Sequence, residues 1–146
     1  MMKPLDVPRN EIYRYLGYKG AVPDERTSDL AEDCIKEIFM QPSSFSVESR
    51  TLAIDVLHDS VSFRKPGSND VLCVFESGTF ARHLSGCDRA VVFAATLGQR
   101  TDDLIDMYSK KGEITRAVVL QACGAAAIET LCDDFTAGLD ISCSRS

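Results

Sequence analysis

Arg89-Ala90-Val91-Val92-Phe93-Ala94-Ala95-Thr96-Leu97-Gly98 is the most strand-like stretch of the chain. Its apolar run, Ala90–Ala95, lies between Gly86 and Gly98 and is too short for a helix of ordinary length, which predicts a buried strand. Just beyond it, Thr101-Asp102-Asp103 opens a helix, with both carboxylates at the end where the helix dipole favours negative charge.

Upstream lie further strand signals. Leu52, Ile54 and Val56 alternate with Thr51, Ala53, Asp55 and Leu57, a pattern with one buried and one mixed face. Val61 and Phe63 add a short strand before the turn Pro66-Gly67-Ser68-Asn69, and Val71–Phe75, nearly all apolar, forms another. Ser77–Leu84 reads as a short helix capped by Ser77. Nearer the N-terminus, a helix begins around Asp6 and Pro8, carries Ile12, Tyr15 and Leu16 on one edge, and stops at Gly17. Gly20–Pro23 is a loop. A second helix spans about Ser28 to Phe39, with Leu30, Cys34, Ile35, Ile38 and Phe39 on one face and Pro42 ending it.

Downstream, Gly112 separates the Thr101 helix from a long one over Glu113–Phe135, with Gly138 just past its end. The centre of that helix, Ala122-Cys123-Gly124-Ala125-Ala126-Ala127, permits close backbone approach and predicts central burial. Helices, then strands, then helices give an α+β fold. The expected architecture is one domain over residues 1–146, with N-terminal helices, a small mostly antiparallel or mixed sheet, and long C-terminal helices packed on it.

Composition narrows the function classes. The chain has 146 residues, 45% hydrophobic and 26% charged, with a net charge of −6. That size supports one core. The acidic balance, with no basic run, speaks against nucleic acid as a partner. Met1–Asn10 lacks the apolar core of a signal peptide, and no run reaches the ~18 apolar residues of a membrane helix, so a cytoplasmic location with no membrane contact is expected. The six cysteines, Cys34, Cys73, Cys87, Cys123, Cys132 and Cys143, form no CxxC pair and have no histidine at zinc spacing. They read as reduced, mainly buried thiols, with Cys143 the most exposed, and no metal site is expected.

Few residues carry chemistry. Thr96-Leu97-Gly98 joins a strand to a helix start, where outward-pointing amides can meet a ligand. The plainer reading is a tight turn in which Thr96 satisfies backbone groups, and on spacing alone it is the stronger of the two. His58 and His83 have no partner pattern and read as surface residues. Glu129 interrupts the apolar run of the long helix. It is either a carboxylate for a ligand amine or, more often for such a residue, one at the helix edge reaching solvent. The acidic groups Asp102, Asp103, Asp106 and Asp133, Asp134 read as solvated helix faces. No catalytic residue emerges.

The run Thr79-Phe80-Ala81-Arg82-His83-Leu84-Ser85-Gly86-Cys87-Asp88-Arg89, continuing through the strand to Thr96-Leu97-Gly98, resembles a block of the activation domain of vitamin B12-dependent methionine synthase. The segments Ile12–Tyr18, Ala117–Gly124 and Ala127-Ile128-Glu129 are similar to that family as well, so the likeness extends over most of the chain. It resembles the family's small stand-alone form. The resemblance implies an accessory role in reactivating a corrinoid (cobalamin) methyltransferase, with the corrinoid carried by a partner protein and S-adenosylmethionine as the methyl donor. It aligns Glu129 with a glutamate that contacts S-adenosylmethionine and makes Thr96, Gly98 and Glu129 the cofactor-binding candidates. Two departures accompany it. The family's N-terminal acidic contact falls near Gly17, and its arginine and Pro-Gly-Tyr loop would follow the long helix, where the sequence reads Ile141-Ser-Cys-Ser-Arg-Ser146. The implied protein is therefore a binding module rather than a complete enzyme, with a structural or assembly subunit, such as a homo-oligomer, as the alternative.

Overall fold

A computed structural model describes residues 5–144 of the chain, and their side chains apart from residues 43 and 140–144. The described elements are α1 (Arg9–Tyr15), α2 (Glu25–Phe39), a single 3-10 turn (Pro42–Ser44), β1 (Ser46–Val56), β2 (Ser60–Arg64), β3 (Val71–Glu76), α3 (Gly78–His83), β4 (Arg89–Thr96), α4 (Gln99–Lys110) and α5 (Ile114–Ser144). The fold is α+β, and its four strands form one antiparallel sheet in the order β3-β2-β1-β4. Two compact units make up the chain. One joins the residues up to Val47 with those from Ala95 onward, and the other is Glu48–Ala94.

The first unit is built around α5, a helix of 31 residues. Ala117, Val119, Leu120, Ala122, Cys123, Ala126, Ala127 and Leu131 are all buried, a wide arc that no single neighbour can cover. Three neighbours do so: α1, α2 and α4 all pack on α5. A helix apolar over most of its circumference is stable in water only when enclosed in this way. Ile12 of α1, Cys34 and Ile38 of α2, and Leu120 and Cys123 of α5 are almost completely removed from solvent. The stretch Ile114–Leu139 is long and apolar enough to cross a membrane, although its apolar residues form no unbroken run of that length. Half of its most apolar window is buried within the protein, as a core helix requires.

Local signals explain most boundaries. Asp24 caps α2, its carboxylate accepting from the Thr27 amide at 3.3 Å, so the helix starts three residues before the expected Ser28. Gly17, with φ of +91°, follows the end of α1. Gly138 lies inside α5 rather than beyond it. A single glycine costs a helix only ~1 kcal/mol, which a long packed helix absorbs. A polar clamp ties α2, α4 and α5 together: Tyr108 donates to Glu37 at 2.5 Å, and the Arg116 guanidinium lies 3.3 Å from the other Glu37 oxygen and 4.8 Å above the Tyr108 ring.

The second unit is the body of the sheet with α3. β1 and β2 form an antiparallel hairpin, Ile54 opposite Phe63 and Val56 opposite Val61, and β3 continues it with Phe75 opposite Val61. Ile54, Val61, Phe63 and Ala81 form its small core, and the rings of Phe63, Phe75 and Phe80 meet at centroid distances of 5.5–6.3 Å. Ser77 caps α3 by accepting from the Phe80 amide at 3.2 Å.

One strand expectation needs correction. The Ala90–Ala95 run is not a buried central strand, because β4 is an edge strand whose Val91 and Val92 are 39% and 48% exposed. β3 is the other edge, and every one of its residues is exposed. An unbroken apolar run signals a strand but does not reveal whether anything covers its two faces. The same correction reaches the cysteines. Cys34 and Cys123 are buried, Cys132 is half-buried, and Cys73 and Cys87 are exposed; all five are free thiols. The side chain of Cys143 lies outside the described residues.

Burial pushes the Cys34 thiol up to about 11 and the Cys123 thiol up to about 12, and their sulfurs face the carbonyls of Arg116 and Ala31. Since the thiolate is the reactive form, an aromatic disulfide reagent applied near neutral pH should modify Cys73 and Cys87 in the folded protein and reach Cys34 and Cys123 only in denaturant. Peptide mapping that found Cys34 or Cys123 labelled as fast as Cys73 would contradict this packing.

Candidate functional site

The junction that ends β4 is held by an unusual contact. Gly98 adopts φ +84° and ψ 173°, a region open essentially to glycine alone. A Cβ on Gly98 would lie 2.6 Å from the Cβ of Ser44, so the position excludes a side chain on steric grounds too. The Ser44 hydroxyl in turn sits 2.7 Å from the Leu97 carbonyl and 2.9 Å from that of Gln41, its single proton shared between them. Leu97 itself is buried in the helical core. The turn is thus pinned between the 3-10 turn and that core.

Thr96 is exposed and accepts the Gly98 amide on its hydroxyl oxygen at 2.9 Å. This is the plain turn role weighed in the sequence. It uses the Gly98 amide but leaves the hydroxyl proton available to an acceptor. Gly98 has no side chain with which to cap α4, so the first amides of that helix are left to solvent or to a ligand. Opposite, α5 comes close because it carries glycine: a Cβ at Gly124 would stand 3.3 Å from the Thr101 methyl.

Between these pieces lies a cleft of about 350 Å³. Thr96, Gly98 and Asp102 form its polar rim, and Ile105, Ala125 and Ile128 are apolar lining. The volume is at the small end of the range for small-molecule sites. The residues fit S-adenosylmethionine in kind: open helix-start amides suit a carboxylate, Asp102 suits an ammonium or sulfonium, and the apolar lining suits a purine or ribose face. Nothing in the cleft resembles a nucleophile paired with a base.

Glu129 is placed differently. Its neighbour Ile128 lines the cleft, but Glu129 follows it roughly 100° further around the helix and is not among the lining residues. It meets α1 instead: the Tyr15 hydroxyl donates to one carboxylate oxygen, and Arg14 lies 3.5 Å from the other. The hydrogen bond to Glu129 raises the Tyr15 pKa. Arg14 is shared with Glu11 at 2.8 Å and stacks 4.6 Å above the Tyr15 ring. Thr96 and Gly98 are therefore brought together, while Glu129 anchors a separate exposed cluster on the same helix. The sequence did not single out Arg14 or Tyr15 as partners of Glu129. Their one signal was position, on the last turn of α1 before Gly17.

A second cavity, of about 690 Å³, was also missed. It lies where α2 and α5 begin, with Arg26, Asp29, Asp33, Glu113 and Arg116 among its lining. Its charges are mixed and no motif marks them. His58 and His83 are exposed. Among the described residues, no group of three or more His, Cys, Asp or Glu is placed to hold a metal ion. No family model matches the chain, and no curated protein matches it.

Gly98→Ala combines a forbidden backbone conformation with a clash against Ser44, and should cost at least ~2 kcal/mol of stability. Gly86→Ala supplies the comparison. Gly86 also has positive φ, at +83°, but has open space around it, so backbone strain alone should cost about 1 kcal/mol. Equal losses for the two variants in urea denaturation would rule out the Ser44 contact as the constraint on the turn.

Proposed function

We propose that the protein is a binding module that assists reactivation of a corrinoid methyltransferase system, in the manner of the methionine synthase activation domain it resembles. Its working face is the cleft beneath the Thr96-Leu97-Gly98 turn, together with the α5 surface that carries Glu129. S-adenosylmethionine is the proposed ligand of the cleft, and a cytoplasmic partner protein carries the cobalamin. The methyl transfer chemistry belongs to the corrinoid and the methyl donor. This chain's part is to bind and orient: Thr96 and the first amides of α4 receive polar groups, Asp102 faces positive charge, and Ile105 and Ile128 shield the ligand from water.

The observation that carries the reading is the convergence of the turn and the small-residue centre of α5 on one cleft. Those are two of the segments in which the sequence likeness is carried. A second reading, a structural or assembly subunit without a working ligand site, draws support from the exposed apolar residues of β3 and β4.

Calorimetric titration of the purified protein with S-adenosylmethionine, and separately with a cob(II)alamin-loaded corrinoid protein, distinguishes the two. The binding-module reading expects saturable binding in at least one titration. It also expects Ala125→Phe, which fills the cleft from its half-buried lining, to weaken S-adenosylmethionine binding at least tenfold, about 1.4 kcal/mol, with the melting temperature retained. Silence in both titrations would leave the structural reading.

A further inference from the structure

The cleft beneath the turn extends away from it along α4 and α5. Thr101 of α4 faces Gly124 of α5, where an added Cβ would stand 3.3 Å from the threonine methyl. α4 ends at Lys110 and α5 begins at Ile114, a connection short enough to make the two helices an antiparallel pair. One helical turn beyond Thr101, Ile105 therefore lies level with the turn of α5 that precedes Gly124. Gln121 stands on that turn, and both residues line the cleft.

Four residues of α5 contribute to the lining: Gln121, Gly124, Ala125 and Ile128. Their spacing is that of a single helix face. From Gln121 to Ile128 this face runs about 10 Å at the helical rise per residue. Gln121 carries the one polar side chain of the four, and it is exposed. Its side-chain amide has no hydrogen-bond partner among the described residues.

The two ends of the cleft differ in charge. At the turn, Thr96, Asp102 and the first amides of α4 suit charged groups. At the other end, Ile105 and Gln121 are both neutral. An ammonium or carboxylate placed there would lose hydration and find no opposite charge. A primary amide instead offers a donor and an acceptor side by side. What it recognises best is a neutral group with a matching acceptor and donor on adjacent atoms. The 6-amino group of adenine and the ring nitrogen next to it are such a pair.

We propose that Gln121 selects the base of the ligand, pairing with the 6-amino group of adenine and a neighbouring ring nitrogen while the ring lies against Ile105. The methionine end then lies at the turn, where the charged and polar groups are. This inference rests on the reading of the cleft as a site for S-adenosylmethionine, and adds to it a direction and a preference for adenine.

Calorimetric titration of the full chain with S-adenosylmethionine, and with its analogue carrying purine in place of adenine, reads that preference. The analogue lacks the 6-amino donor and leaves the Gln121 carbonyl unpaired, so it should bind about fivefold more weakly. In Gln121→Ala the two ligands should bind equally, because the partner of the amino group is gone. Alanine is the best helix former and residue 121 is exposed, so the melting temperature should match that of the wild type. Nuclear magnetic resonance of the wild-type chain supplies a second measurement: the Gln121 side-chain amide signals should move on saturation with S-adenosylmethionine. Equal binding of the two ligands by the wild type, a preference that survives Gln121→Ala, or an unmoved Gln121 amide in the saturated protein would overturn the role of Gln121 and leave the cleft reading standing. Failure of the wild type to bind either ligand would overturn both.

Discussion

Close backbone approach around the middle of α5 is the constraint on which the helical unit depends. Three helices pack against this one, and they can do so because residues 122–127 have side chains no larger than that of cysteine. Where Thr101 comes nearest, even a methyl group on Gly124 would press against it at 3.3 Å. A larger residue at Gly124 would force α4 outward, and with it the turn at Gly98 that α4 continues. Interiors packed at crystal-like density leave little room for such adjustment.

The same logic of absent side chains governs the turn. Gly98 has positive φ, sits against Ser44, and leaves α4 uncapped. One residue choice therefore has three consequences: the chain reverses sharply, the 3-10 turn packs against it, and the first amides of α4 stay available. The cleft is thus defined by two glycines, Gly98 and Gly124, more than by any charged group.

Much of the architecture was legible because it rests on local chemistry. The α2 face of Cys34, Ile35 and Ile38, the Ser77 cap and the glycine after α1 all act within a few residues, and they stand where periodicity and capping rules put them. What stayed hidden was non-local. Whether Ala90–Ala95 and Val71–Phe75 are central or edge strands depends on strand order, which no single segment encodes, and so did the exposure of Cys73 and Cys87. Of the site residues, Thr96 and Gly98 were marked by the strand-turn-helix junction. The direction of Glu129 depends on where α1 docks on α5, and the Glu37–Tyr108–Arg116 clamp joins residues up to 79 positions apart (116 minus 37). Neither has a sequence signature.

If the turn and α5 together make a ligand cleft, a crystal of the protein grown with S-adenosylmethionine will hold the ligand there. Ligand density is expected beneath the Thr96–Gly98 turn, with a polar group at the start of α4 and an apolar portion against Ile105 and Ile128. Density confined to the cavity of Arg26 and Arg116, or a Gly98 separated from Ser44 with no cleft between the turn and α5, would contradict it.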